Sequence, residues 1–258
     1  MDSSRSAVRV LRLVFAVRGG RTVIRHAYAE APFKITQLYY PPDSTLAQLI
    51  LMNTAPGLFP GDRNRIEIRV ENGARVLLTS QSFTKVHPGI GIAEQCFQID
   101  VESHAELHIY NDPVIPFCGS RLRQRVTFQV ASDAKLRVWD GWMSGRVGRG
   151  EAWQFDELDM ETRLLREGKL LYLERYKLDS RSADRNIQYV GSGIFHEPLD
   201  SAFLDCNQPG LGIDEPVSGL TIVRAIAKDG IQYRRIQHQV LIRAFQCSNQ
   251  RVPDLRKY

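Results

Sequence analysis

The chain has 258 residues, 43% of them hydrophobic and 24% charged, which is enough to bury a substantial core within ordinary globular limits. Its 34 basic and 29 acidic residues leave a formal charge of +5, but the two signs are interleaved, so no stretch reads as a nucleic-acid arm. No apolar stretch approaches the ~20 residues needed to cross a membrane.

The first apolar run, residues 8–17, is broken by Arg9 and Arg12 and lacks a small-residue cleavage site, which argues against export and predicts a cytoplasmic protein. Cys96, Cys118, Cys206 and Cys247 form no C-x-x-C pair, so neither a zinc knuckle nor a redox motif is present, and free thiols are expected.

An internal repeat follows: Val70-x-x-x-Ala74-x-Val76, Val101-x-x-x-Ala105-x-Leu107 and Val130-x-x-x-Ala134-x-Leu136. Its period of about thirty residues is that of stacked supersecondary units. Each copy is a strand, a polar turn and a second strand. Ile66, Ile68 and Val70 alternate with charged residues before Glu71-Asn72-Gly73, and Val76 and Leu78 follow. A weaker fourth copy turns at Glu167-Gly168 before Leu170, Leu171 and Leu173. Each unit leaves apolar faces that only its neighbours can cover, so the expected fold is all-β. Its architecture is a β-solenoid-like or sandwich-like scaffold of stacked strand pairs.

After Asp179 the pattern gives way to loops with short strands as far as Gly219. A strand is predicted over 220–225. Asp229 then caps a short C-terminal helix carrying Ile231, Ile236, Val240 and Phe245, and residues 249–258 form a frayed tail. One domain is expected over 1–258, with the β repeats in 8–178, loops in 179–219 and strand plus helix in 220–248.

Four segments interrupting the repeats carry a family resemblance. They are Pro56-Gly57-Leu58-Phe59-Pro60-Gly61-Asp62 with the later Thr79-Ser80-Gln81-x-x-Thr84-Lys85-Val86; Pro113-Val114-Ile115-Pro116-Phe117-Cys118-Gly119-Ser120-Arg121; Trp139-Asp140 with Gly145-Arg146-x-x-Arg149-Gly150-Glu151-x-x-x-Phe155; and Leu171-Tyr172-Leu173-Glu174-Arg175-Tyr176-x-Leu178. In order and spacing over residues 8–178, the chain resembles the urease accessory protein UreD (UreH) family. It departs at Ala55-Pro56-Gly57-Leu58-Phe59-Pro60, where the family is richer in glycine, and at Thr79-Ser80-Gln81, where the family has Thr-Thr-Gln. The resemblance implies a non-enzymatic β scaffold that binds UreF, recruits the GTPase UreG through UreF, and docks on apo-urease. It also implies Ni²⁺ in transit with no tightly bound cofactor.

On that reading Asp62, Asp140 and Glu174 are candidates for a transient metal relay, although Asp62, in a Gly-Asp turn, reads rather more as a turn carboxylate. Carboxylates and water hold Ni²⁺ less selectively than imidazoles or thiolates, which suits an ion that must leave again. His104 and His108 are too far apart along a strand, about 13 Å, to share one ion.

Thr79 and Gln81 are candidates for a polar lining, whereas Lys85 is expected on a wet outer face because its charge repels a cation. Arg146, Arg149 and Glu151 either hold the relay carboxylates or pair among themselves. Gly61, Gly119, Gly145 and Gly150 read as turn glycines, and Ile115-Pro116 as a trans bond. Tyr39, Tyr40 and Trp142 are candidate partner contacts, and Trp139 a core residue. Two alternatives stand beside this reading. One is a hydrolase using Asp140 and Glu174 as acid and base, although no nucleophile elbow or metal motif is present; the other is a basic β-type nucleic-acid binder.

Overall fold

The computed structural model describes residues 7–42, 44–184, 186–197, 199, 208–247 and 252. Cys206 and, Val252 apart, the tail 249–258 lie outside the described residues. The strands in chain order are β1 (Val8–Arg18), β2 (Arg21–Ala29), β3 (Phe33–Ile35), β4 (Ala47–Asn53), β5 (Arg63–Val70), β6 (Arg75–Ser80), β7 (Thr84–Val86), β8 (Ala93–Val101) and β9 (Glu106–Tyr110). They continue with β10 (Val114–Pro116), β11 (Arg121–Val130), β12 (Lys135–Met143), β13 (Glu157–Arg166), β14 (Lys169–Leu178), β15 (Tyr189–His196), β16 (Leu211–Val217) and β17 (Leu220–Ala227), and a helix α1 (Gly230–Cys247) ends the described fold.

The three repeat copies are three coils of a solenoid. Each sends one strand into a seven-stranded sheet ordered β14-β13-β11-β8-β5-β1-β2 and the next into a second sheet ordered β16-β17-β15-β12-β9-β6-β4-β3. Val70, Val101 and Val130 stack in parallel register, as do Val76, Leu107 and Leu136. All six are almost wholly buried, in the cluster that fills the space between the sheets. Ala74, Ala105 and Ala134 stack at the tight turns, where Glu106 N–H reaches Ala74 O and Lys135 N–H reaches Ala105 O at 2.9 Å each.

The two sheets differ in burial, and the sequence pattern follows. The first has a wet outer face, so β5 alternates apolar residues inward and charged residues outward. One outer rung alternates in sign: Arg63, Glu94, Arg123 and Asp159 are neighbours across four strands. Arg63 pairs with Glu94 at 3.2 Å and Arg123 with Glu94 at 2.9 Å. The second sheet is covered outside by α1, whose Tyr233, Ile236, Val240 and Phe245 pack on Leu77, Tyr110, Trp139 and Phe195. Its central strands are therefore buried on both faces, β9 at every residue, and lose the clean alternation of the first sheet.

Three expectations change. The fourth copy is not a coil: Glu167 and Gly168 both adopt positive φ, and β14 turns back antiparallel on β13 in the same sheet. The glycines of 179–219 are partly packing residues. A Cβ on Gly191 would stand 2.6 Å from the Trp139 ring, so β15 runs flat against that tryptophan in the middle of the second sheet. Asp229 does cap α1, its Oδ1 accepting from Gln232 N–H at 2.8 Å, but Ile231 is 76% exposed and faces away from the sheet. The Ile115-Pro116 bond is trans; the cis bond among the described residues is Ala31-Pro32.

Because the stacked positions carry the core, Leu136→Ala is expected to cost about 2–5 kcal/mol, whereas Ile90→Ala, at a fully exposed loop position, stays within about 0.5 kcal/mol. Urea titrations of the two variants measure the difference; equal midpoints would contradict the coil assignment.

Candidate functional site

Parallel register turns a residue type repeated at one level of each coil into a row along the solenoid axis, with neighbours about 4.8 Å apart. On the inner face of the first sheet, Gln95 and Gln124 are partners, Met160 follows Gln124, and Tyr176 follows Met160. On the inner face of the second, Asp140 pairs with Ser192 and Ser192 with Arg224. Asn111 N–H binds Trp139 O, which brings Asn111 level with Asp140, and Ser80 Oγ accepts from Asp112 N–H at 2.8 Å.

Side-chain bonds tie the rows together. Gln95 Nε2 donates to Gln124 Oε1 at 3.3 Å, and Gln124 Nε2 donates across the gap to Asp140 Oδ2 at 3.4 Å. At the β14 edge, Arg224 Nη2 meets Glu174 Oε1 at 2.7 Å, again from one sheet to the other. Between the rows lies a cavity of about 260 Å³ whose wall draws on strands from β1 and β3 through to β14 and β17. Ile66, Ile68, Ile99, Phe128, Val138 and Ile194 make its apolar side.

The Asp140 carboxyl is only partly shielded by hydrogen bonds. Burial pushes it up to about 6, and the Gly141 N–H and the Gln124 amide, which both favour the ionised form, only partly offset this. Among the described residues no three His, Cys, Asp or Glu converge on one point. The wall therefore offers a string of separate oxygen donors in place of a chelating cluster, a set that binds a divalent ion weakly at any one place.

The sequence profile of the UreD urease accessory protein family matches residues 8–256. The chain belongs to this family. The match extends through β17 and α1, beyond the segments that carry the resemblance by eye. Urease accessory protein UreH of Helicobacter pylori (strain G27) is 29% identical over 223 residues, covering 81% of this chain and 84% of its own length. UreD of Sorangium cellulosum is 35% identical over 167 residues, covering 65% and 53%, and UreD of Thermosynechococcus vestitus 32% over 170 residues, covering 66% and 62%.

Against this UreD fold, the residues singled out in the sequence separate into groups. Asp140, Glu174 and Gln81 stand in the cavity wall. Asp62 is not part of it: its carboxylate accepts from Phe59 N–H at 2.8 Å and pairs with Arg9 at 2.7 Å, closing the Gly-Asp turn. Thr79 is buried but points to the opposite face of its strand, its hydroxyl donating to Tyr110 O, and Ser80 takes the inward position. Lys85 is the exposed residue of β7, on a wet strand face as expected, and also borders the cavity at its rim.

Arg146 and Glu151 pair with each other through two bonds of 2.7 and 2.6 Å, and the Arg146 guanidinium lies 3.9 Å from the Phe117 ring centroid. That ion pair holds the Glu151 carboxyl below its ordinary range; Arg149 sits exposed in a short 3-10 turn nearby. Gly145 has φ +135° and no room for a Cβ, which would lie 2.3 Å from Glu151 O.

Trp142 is 4% exposed, packed with Trp153 and Phe155 beneath the wide loops, so it offers no surface for partner contact. Trp139 is a core residue, donating to Tyr233 Oη at 2.9 Å. Tyr39 is half-buried, bridged to Gln48, and Tyr40 is 38% exposed with Arg21 over its ring.

Gln95, Gln124, Ser192 and Arg224 are wall residues that pattern reading passed over. The signal for two of them is in the sequence: Asn64, Gln95 and Gln124 each stand six residues before Val70, Val101 and Val130, a polar residue at the same level of an otherwise apolar inner face.

The Asp140 shift has a sign that can be tested. The fold favours the neutral acid, so the ionised form costs stability above about pH 6, and the cost fades as pH falls from about 6 towards the ordinary value of 3.8. Asp140→Asn is therefore expected to gain stability relative to the parent at pH 8 and to lose most of that gain at pH 4. Paired denaturation curves at the two pH values measure it, and a pH-independent difference would contradict the assignment.

Proposed function

We propose that this chain is a non-enzymatic scaffold in urease maturation: it binds UreF, through UreF the GTPase UreG, and apo-urease, and Ni²⁺ travels through its interior towards the urease active site. The observation that carries this reading is the pair of polar rows facing each other across an interior cavity, joined at Gln124 and Asp140 and again at Arg224 and Glu174. A scaffold that served only to present its surface would gain by filling that space with apolar side chains, since burying a polar group costs free energy unless it is fully bonded.

Hydroxyl, amide and carboxylate oxygens replace water around a divalent ion without the tight grip of imidazole or thiolate. Asp140 and Glu174 supply the negative charge that draws the ion in, and Gln95, Gln124 and Ser192 supply neutral oxygens between them. Asp62 supports the loop at the turn and takes no direct part. Tyr40, with Tyr39 beside it, is the aromatic surface we assign to partner contact. Exposed free thiols at Cys96 and Cys118 suit a reducing cytoplasm. No helix among the described residues is long and apolar enough to cross a membrane.

The hydrolase alternative is disfavoured because its would-be base, Glu174, is held in an ion pair. Turnover of ester, phosphate or amide substrates would revive it. The nucleic-acid alternative is disfavoured by the ion pairs on the outer face of the first sheet, where guanidiniums are spent on carboxylates.

Asp140→Ala and Glu174→Ala are expected to co-purify with UreF as the parent does, while urease matured with either variant contains several-fold less nickel by atomic absorption. Normal nickel content with both variants would rule out transit through this cavity while leaving the family assignment untouched.

A further inference from the structure

Among the described residues, the cavity wall contains two cationic side chains, Lys85 and Arg224, and they differ in how they are held. Lys85 is exposed. Arg224 is fixed from three strands. Its Nη1 donates to Ser192 Oγ of β15 at 2.8 Å and to Val223 O of β17 at 2.9 Å. Its Nη2 donates to Tyr172 Oη of β14 and pairs with Glu174 Oε1 at 2.7 Å. The guanidinium therefore spans from one sheet to the other at the β14 end of the cavity, directly on a carboxylate of the wall.

We propose that Arg224 is a latch on Glu174, a positioning residue that keeps this carboxylate neutralised and the β14 end of the cavity closed to cations until the guanidinium swings out. The proposal rests on the reading that a divalent cation moves through the cavity. A cation arriving from the Asp140 side meets a fixed charge of its own sign and reaches Glu174 only by displacing it. Tyr172 and Ser192 set the resting position of the latch, since each accepts a hydrogen bond from the guanidinium. Arg224 lies on the strand beside the sheet edge and Glu174 on the edge strand itself, so movement of β14 against β17 opens the pair without disturbing the coils.

A purely structural role for the pair, as a staple between the sheets, makes a different forecast, because removing a staple lowers stability and creates no metal site. The test is calorimetric titration of the purified full-length chain with Ni²⁺ alone. The parent is expected to bind weakly, and Arg224→Gln, which keeps a hydrogen-bonding amide near Ser192 and Tyr172, to bind about tenfold more tightly. The gain should vanish in the Arg224→Gln, Glu174→Gln double variant, and Arg224→Lys, which retains the charge, should stay close to the parent. Ser192→Ala, which loosens the latch without removing it, provides the same reading if Arg224→Gln fails to fold, with a smaller gain in affinity expected. Affinity unchanged by loosening or removing the guanidinium, or a gain that survives loss of Glu174, would overturn the latch. The transit reading fails separately: it falls if Glu174→Gln matures urease with normal nickel content, and it stands if that variant is deficient while Arg224→Gln binds no better than the parent.

Discussion

In-register parallel pairing is the constraint on which the rest of this molecule depends. When Val70, Val101 and Val130 occupy the same level of successive coils, every other level is fixed with them, because a shift of one residue would turn each inner side chain outward. The same register that builds an apolar column at the tight turns builds a polar column six residues earlier, at Gln95 and Gln124. Apolar core and polar wall are two levels of one repeat, so neither can be moved without the other.

That arrangement carries a cost, visible in the groups themselves. Gln124 sits between a second amide and a carboxylate; the buried Asn64 Oδ1 at the same level has no partner among the described residues. Asp140 is pushed up to about 6 because its bonds do not compensate for lost water. By contrast Arg137, wholly buried on the other face of the second sheet, is matched with Glu197 at 2.9 Å and stacked on Phe245. The fold can satisfy buried charge where it needs structure. The inner rows are only half satisfied by protein groups.

The legibility of these features in the sequence follows from the same physics. Strands of the first sheet, wet on one face, show clean alternation, and β5, β8 and β11 are readable residue by residue. Strands of the second sheet are buried on both faces, so alternation carries no parity, and nothing marks Ser80 rather than Thr79 as the inward residue. Asp140 and Glu174 are visible because they lie in segments shared with the UreD family, whereas Arg224 lies outside those segments, in a run that otherwise reads as an apolar strand. Trp142 reads as a surface contact because it stands near two glycines, Gly141 and Gly145, and beside Met143. The wide loops gather Leu58, Val86, Trp142, Trp153 and Phe155 into a core of their own, which no single segment announces.

The ends of the solenoid explain why its chemistry is not uniform. Three coils repeat, and where successive coils keep the same residue at one level, as at Gln95 and Gln124, the wall is amide upon amide. At Glu167-Gly168 the chain abandons the repeat and folds back, and likewise β15 adds antiparallel to β12 and β17 antiparallel to β15. Residues on these strands are free of the coil pattern, and here the wall acquires Glu174, Tyr176, Ser192 and Arg224, unlike groups within reach of one another. A longer solenoid would have extended the apolar column and the amide row without ever bringing an arginine from one sheet onto a carboxylate of the other. Ending the stack with antiparallel strands gives one end of the cavity a charge pair that spans the two sheets.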